Sequence, residues 1–475
     1  MLYIGWEGDG NSFTVADGAT AVSSKDTVVG FGSNASGNSL TVEDADSTFT
    51  VSSPNTLIIG DDGDASALLI QNGGAVEGHN ARLARSANSA NNTVTVTGTD
   101  SRWTNTGTIR VGTLGPGNTV IVSAGGAASF DGNAFIGHGL AATNNTVTVT
   151  GMGSSWSSAI LVVGLASTGN VLNVVDGGAA AATPFTIAGN AGSQGTVNVG
   201  SGGLPGTLDG PIEFGLGTGL LNFNHSSAPS YDFASAISGP GAVRHIGSGT
   251  TTMSGMSTYS GGTTLTAGTL RLGADDALPS AGTFSFNGGT FDANDHSVSL
   301  GILSLDASST LRFGSAGSQQ DVVFAAAAPW VGGTLTIEGW DGGGGGAYDR
   351  LIIVADPTAS GILEHVEFAG YPGGVIWKSG TGEGFPRAAF VAPAPSLSPA
   401  ALALLLAVLS LVAFVSLSRG RGERAQGAPI GGIAGLSARH HSSTDGRCPA
   451  PSSLRRPHSG GPTEGVSSAN SDIDA

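Results

Sequence analysis

Asn92-Thr-Val-Thr-Val96, Asn118-Thr-Val-Ile-Val122 and Asn145-Thr-Val-Thr-Val149 are three copies of one phrase, and their spacing decides the fold. Five more copies flank them: Asn11-Ser-Phe-Thr-Val15, Asn38-Ser-Leu-Thr-Val42, Ser66-Ala-Leu-Leu-Ile70, Asn170-Val-Leu-Asn-Val174 and Gly195-Thr-Val-Asn-Val199. The interval between successive copies barely drifts from about 26 residues. Polar and apolar residues alternate inside each phrase, the period of a strand with one buried face. A fixed repeat of this length marks stacked units that bury a continuous core only by lying on one another. The chain is a solenoid.

A second strand ending in glycine follows in each unit. It reads Asp26-Thr-Val-Val-Gly30, Thr56-Leu-Ile-Ile-Gly60, Thr108-Ile-Arg-Val-Gly112, Ala134-Phe-Ile-Gly137, Ile160-Leu-Val-Val-Gly164 and Phe185-Thr-Ile-Ala-Gly189, with Ala81-Arg-Leu-Ala-Arg85 a poor match. Two short strands and two turns per unit predict one coil of a parallel β-helix, with coils pairing at about 4.8 Å. The turns alternate. One type is Asp17-Gly18, Gly73-Gly74, Gly125-Gly126 and Gly177-Gly178, where glycine takes positive φ freely. The other carries a ring, as in Asp46-Ser-Thr-Phe49, Asp100-Ser-Arg-Trp103 and Gly153-Ser-Ser-Trp156. The fuller repeat is therefore a pair of coils of roughly 53 residues, and the rings are expected to seal a corner of the core.

Eight coils of about 26 residues account for residues 1–204. Broken alternation predicts a continued β-helix over 205–325 and a compact β cap over 326–390, which includes the five-glycine run at 342–346. A Pro-rich linker at 391–398 leads to an apolar run at 399–418, long enough for a hydrocarbon core of about 30 Å. Arg419, Arg421 and Arg424 follow it and predict a cytoplasmic C-terminal flank, with the solenoid outside the membrane. Residues 419–475 have no periodicity and are expected to be disordered. At the other end, Tyr3-Ile4-Gly5 before Asn11 copies Ile58-Ile59-Gly60 before Ser66. The chain thus starts inside a coil with no signal peptide ahead of it, and we expect an upstream start codon.

Composition narrows the partners. Net charge is −17 and only Lys25 and Lys378 are lysines, so nucleic acid is excluded as an electrostatic partner. Cys448 is the sole cysteine, which rules out an intrachain disulfide and a thiolate metal cluster.

Two resemblances follow. The block Val94-Thr-Val-Thr-Gly98, Asp100-Ser-Arg-Trp103, Ile109-Arg-Val-Gly112 and Val120-Ile-Val-Ser-Ala-Gly-Gly126 resembles the repeat shared by autotransporter (type V secretion) passengers and PEP-CTERM proteins. Tyr259-Ser-Gly-Gly-Thr-Thr-Leu-Thr-Ala-Gly-Thr-Leu270 is similar to the autotransporter-associated β-strand repeat. Both imply a right-handed β-helix displayed or released outside a Gram-negative cell. The C-terminal region resembles a PEP-CTERM sorting signal, which implies export, an exosortase-type sorting enzyme and an exopolysaccharide setting. Ala394 stands where that pattern has glutamate, and about 50 residues follow the arginines where the family ends.

No chemical step is expected of this chain: no catalytic, cofactor-binding or metal-ligating residues. Glycoside cleavage needs two carboxylates about 5–10 Å apart. The recurrent acids Asp17, Asp131 and Asp176 instead sit at turns. Asp61, Asp62 and Asp64, with Glu43, Asp44 and Asp46 one coil earlier, are the densest oxygen group and are read as a solvated acidic turn rather than a Ca²⁺ site. His79, His138, His225, His245, His296 and His365 lack ligand spacing and read as surface or turn residues. The Thr rows at 93–97 and 146–150 read as ordinary polar strand faces rather than an ice-binding surface.

The expected function is structural: an exported, membrane-anchored or surface-associated β-helix contributing to envelope, adhesion or extracellular matrix. Its partners would be exopolysaccharide or envelope components and the membrane through 399–418. A carbohydrate-active enzyme (polysaccharide lyase or hydrolase) on the same scaffold and an autotransporter-like adhesin passenger remain the alternatives.

Overall fold

The computed structural model describes residues 1–226, 230–315, 319–341, 348–371 and 375–386. The linker at 391–398, the apolar run at 399–418, the tail at 419–475 and the glycine run at 342–346 lie outside the described residues. No described helix is long and apolar enough to cross a membrane.

The described chain is an all-β parallel solenoid. Its long wall contains, among the described residues, fifteen parallel strands from Ser12–Val15 to Arg350–Ile353. Fourteen steps at about 4.8 Å make a stack of roughly 67 Å. Val94, Val120 and Val147 are register partners and fully buried, so they form the single column that the repeat predicts. Leu40 and Leu68 extend it at one end, Leu172 and Val197 at the other.

The glycine-ended strands form a second wall, parallel throughout, from Leu2–Ile4 to Ile237–Ser238. A third wall was not read from sequence. It runs from Thr20–Ser23 through Arg102–Asn105 to Thr207–Asp209, so each front coil has three strands and not the expected two. These strands are short and often made of small residues, as in Ala179–Ala181, and carry little β signature. Their inward column runs Phe49, Val76, Trp103, Ala128, Trp156 and Ala180. Each Trp sits between smaller neighbours in the ladder, which accommodates the rings at close-packed density. That alternation is the physical content of the two-coil repeat.

Turn chemistry reinforces it. The backbone N–H of Gly18, Gly73 and Gly125 donates to the Oγ of Ser47, Ser101 and Ser154 in the next coil, at 3.0, 2.9 and 3.0 Å. Each serine belongs to the ring-bearing turn and is buried. One turn type supplies the donor, the other the acceptor.

The opening asparagine of the phrase forms a ladder inside the solenoid. Asn118 donates its backbone N–H and its Nδ2 to Asn145 Oδ1, at 2.9 and 2.7 Å. Asn92 donates in the same way to Asn118, and Asn145 to Asn170. Strand-ending glycines make the space. A Cβ on Gly60, Gly112 or Gly137 would lie 2.2–2.3 Å from the amide of Asn92, Asn145 or Asn170. The ladder has one gap, at Ser66, where Asn38 Nδ2 and Ser66 Oγ are buried without a hydrogen-bond partner.

Beyond Ile237–Ser238 the second and third walls give way to one late wall, from Tyr231–Phe233 to Val366–Phe368. Within the span 326–390, the described strands continue this winding. Leu335–Glu338, Arg350–Ile353 and Val366–Phe368 all pair in parallel. Among the described residues, single antiparallel bridges link Val175 to Pro205 and Phe368 to Tyr371, and antiparallel pairing between strands joins Glu383–Pro386 to Arg350–Ile353 and to Val375–Lys378. That hairpin occupies an edge that would otherwise be open.

Candidate functional site

The outward face of the third wall carries a recess. Thr50, Glu77, Thr104, Ser129 and Ser157 are successive register partners, one per coil, and all are half-buried. Ser52, Ser53, Thr106 and Asp131, from the turn that ends this wall, rise beside the row and turn it into a groove of about 330 Å³. Strand alternation produces the row: Phe49, Trp103 and Phe130 point inward, so their neighbours point out. The groove is therefore lined by hydroxyls at the coil spacing, with the Glu77 carboxylate within the row and Asp131 beside it. Sequence reasoning missed it because it missed the third strand. The only trace was Ser and Thr recurring after each ring-bearing or glycine turn.

Two carboxylates line the groove. Glu77 is engaged by Arg102 at 3.4 Å, with both side chains about half exposed. Asp131 is exposed and lies two coils away, roughly 10 Å along the stack. The groove thus offers hydroxyl donors and acceptors beside one ion-paired carboxylate and one exposed carboxylate.

The other sequence candidates are dispersed. Asp61 is buried against Arg85, whose Nη2 donates to Asp61 Oδ2 at 2.7 Å. Burial pushes the Asp61 carboxyl up from its ordinary range, and Arg85 opposes that shift. Asp62 accepts from Ser86 Oγ at 2.6 Å, Asp64 accepts from the Ala90 N–H at 2.6 Å, and Glu43 accepts from Gln71 at 2.7 Å. These acids tie one coil to the next. No group of three potential ligands among the described residues is placed to hold a metal ion. Thr41, Thr95 and Thr148 lie in one outward row, but Leu69 and Ile121 separate them. The row then becomes Asn173, Asn198 and Asn222, whose amides bond coil to coil at 2.8 Å. Trp103 and Trp156 are buried around Phe130, at centroid distances of 5.3 and 4.8 Å, and present no ring to solvent.

Two histidines correct the expectation of surface or turn positions. His225 and His245 are fully buried in the core, 6.0 Å apart ring to ring. His245 Nδ1 donates to the Ala267 carbonyl at 2.8 Å, and His225 Nε2 pairs with Thr251 Oγ1 at 2.8 Å. The remaining nitrogen of each ring is buried without a partner. Burial therefore disfavours the second proton, holding His245 down to about 4 and His225 below its ordinary value. They fill the corner where three walls become two.

No protein-family model matches the chain, and no curated protein is significantly similar to it.

Proposed function

We propose that this protein is an exported structural solenoid that presents regular rows of hydroxyl and amide groups to extracellular polysaccharide or envelope components. One observation carries this reading: an in-register stack whose outward rows, Thr50 to Ser157 and Thr148 to Asn222, repeat small hydrogen-bonding groups at the coil spacing. Such a face suits a polymer that offers hydroxyls at intervals. It works by geometry and requires no chemical step. The winding would be right-handed, as crossovers between parallel strands nearly always are. The apolar run at 399–418 would anchor the chain with its C-terminal flank in the cytoplasm, and an exosortase-type enzyme would handle the sorting signal. Protease treatment of intact cells expressing the full-length gene tests export. Digestion of the solenoid is expected, and its recovery intact in the cytosol would end the proposal.

A second reading rests on the groove alone. Glu77 within the row and Asp131 beside it place two acids along a line of hydroxyls, so an enzyme that lyses or hydrolyses a glycan is the competing function. Release of reducing or unsaturated ends from bacterial exopolysaccharide, abolished in Glu77→Gln, would establish it.

A further inference from the structure

The poor match at Ala81-Arg-Leu-Ala-Arg85 leaves a feature that neither the repeat nor the groove explains. Arg82 and Arg110 are direct register partners on the glycine-ended wall. Ala81, Leu83, Ile109 and Val111 on either side are buried, so both arginines point outward. Like charges placed opposite each other on neighbouring strands repel. Other arginines here show the usual remedy: Arg85 pairs with Asp61, Arg102 with Glu77, Arg271 with Asp292, Arg312 with Glu338 and Arg350 with Asp321. Arg82 and Arg110 have no carboxylate within ion-pair distance among the described residues. The Nε of each is buried without a hydrogen-bond partner. Two desolvated donors in adjacent coils thus lack an acceptor, on a chain whose net charge is −17.

The surroundings hold this pair in place. Phe135 is the next register partner, with the Arg110 guanidinium 5.7 Å from its ring centroid. His138 meets the edge of the same ring at 5.1 Å. Burial and the neighbouring Arg82 both make the positive charge on Arg110 costly. An anion placed across both forks would relieve that cost, since planar guanidinium matches a carboxylate in a bidentate way.

We propose that Arg82 and Arg110 form a binding site for a carboxylate group, seated across adjacent coils on the outer face of the glycine-ended wall. The group comes either from a small free carboxylate or from a uronic acid residue of an acidic glycan. The glycan arm rests on the proposed matrix role; the site itself does not. Calorimetric titration of the purified protein with galacturonate and with trigalacturonate, using maltotriose as the uncharged control, separates these sources. Binding of both acids at similar affinity assigns the isolated group. At least tenfold tighter binding of the trimer assigns the glycan. Either way, Arg82→Gln and Arg110→Gln should each weaken binding about tenfold or more, and Arg82→Lys should retain an intermediate affinity. Wild-type binding should also weaken as salt rises from 50 to 300 mM, a readout that does not depend on any variant folding. The site is overturned by absence of acid binding at millimolar concentration, by equal binding of maltotriose, or by folded Gln variants with wild-type affinity.

Discussion

The front and rear of this solenoid share the long wall and differ in nearly everything that supports it. In front, the long wall steps from Phe13 to Leu40, Leu68, Val94 and Val120, each coil taking about 27 residues. Three walls enclose the core, and the same corner recurs coil after coil. A recurrent corner suits one residue type, and asparagine fills it as a hydrogen-bonded ladder. Behind the third wall the partners run from Val243 to Thr263, Phe284 and Leu303, and a coil shrinks to about 20 residues. The asparagine corner has no place in that smaller section. Rings take over, with Phe284, Phe286 and Phe291 at 4.9–6.5 Å, and ion pairs such as Arg271–Asp292 and Arg312–Glu338 tie the outer faces. Regular length permits a polar ladder; irregular length leaves apolar packing and paired charge to hold the coils. Since each coil touches only its neighbours, the two halves are expected to differ in their response to damage.

Phe286→Ala offers the hardest blow. Loss of a fully buried ring should cost about 3–5 kcal/mol. Because the damage is confined to the rear, chemical denaturation followed by Trp103 and Trp156 in front and by Trp340 in the rear should split into two transitions. A single coincident shift would mean that the halves unfold as one unit.

Asn118→Ala attacks the front in turn. It removes the acceptor of the Asn92 backbone N–H and one of the two donors to Asn145 Oδ1, a loss of about 1–3 kcal/mol. Hydrogen exchange should accelerate at the Asn92 amide while the rear keeps its protection. Wild-type exchange at Asn92 would show that the ladder contributes little.

Acid tests the corner where the halves meet. His245 is held down to about 4, so its unfolded form takes up protons first as pH falls below 6.5. Stability from His245 is complete at neutral pH and drains away between pH 6.5 and 4, on the order of 3 kcal/mol. His225 acts in the same direction. Asp349 opposes them: burial pushes its carboxyl up to about 6, so its contribution falls as pH rises from 3.8 through 6. The difference between wild type and His245→Gln isolates the imidazole, and it should shift by about 3 kcal/mol in favour of the variant between pH 7 and pH 4. A pH-independent difference would place the ring in water.

The smallest effect is a gain. Ser66→Asn should close the gap between Asn38 and Asn92, because Gly30 already approaches residue 66 as Gly60 approaches Asn92. Asn38 Nδ2 would gain an acceptor and the unpartnered Ser66 Oγ would be gone, adding about 1 kcal/mol to stability. An unchanged or lowered melting temperature would show that the corner at this coil is shaped differently.

Much of the fold could be read before the structure. The phrase at Val94, Val120 and Val147 revealed the inward column, and the glycine-ended strands revealed a second wall. The third wall stayed hidden because strands such as Ala179–Ala181 lack β-branched or alternating residues. Stacking on the coils above and below makes them strands. The ladder was half visible. Asparagine opens most of the phrases, and Gly5, Gly60, Gly112 and Gly137 precede Asn38, Asn92, Asn145 and Asn170 by a nearly constant interval. An asparagine before a strand reads as a turn residue when its counterpart one coil away is out of view. His225 and His245 were misplaced for a related reason: histidine has no intrinsic preference for the surface once a hydroxyl or carbonyl meets one of its nitrogens.

From the order of residues alone came a parallel winding, its period and the side of each strand that faces inward, because alternation and repetition are one-dimensional patterns. Tertiary structure alone decided which atoms meet across coils: Asn92 on Asn118, Trp103 beside Ala128, and Arg82 against Arg110 with no acid between them. Those pairings depend on register to a single residue between segments a whole coil apart in the chain. Backbone hydrogen bonds hold that register, but the side chains only reveal its consequences once the coils are stacked.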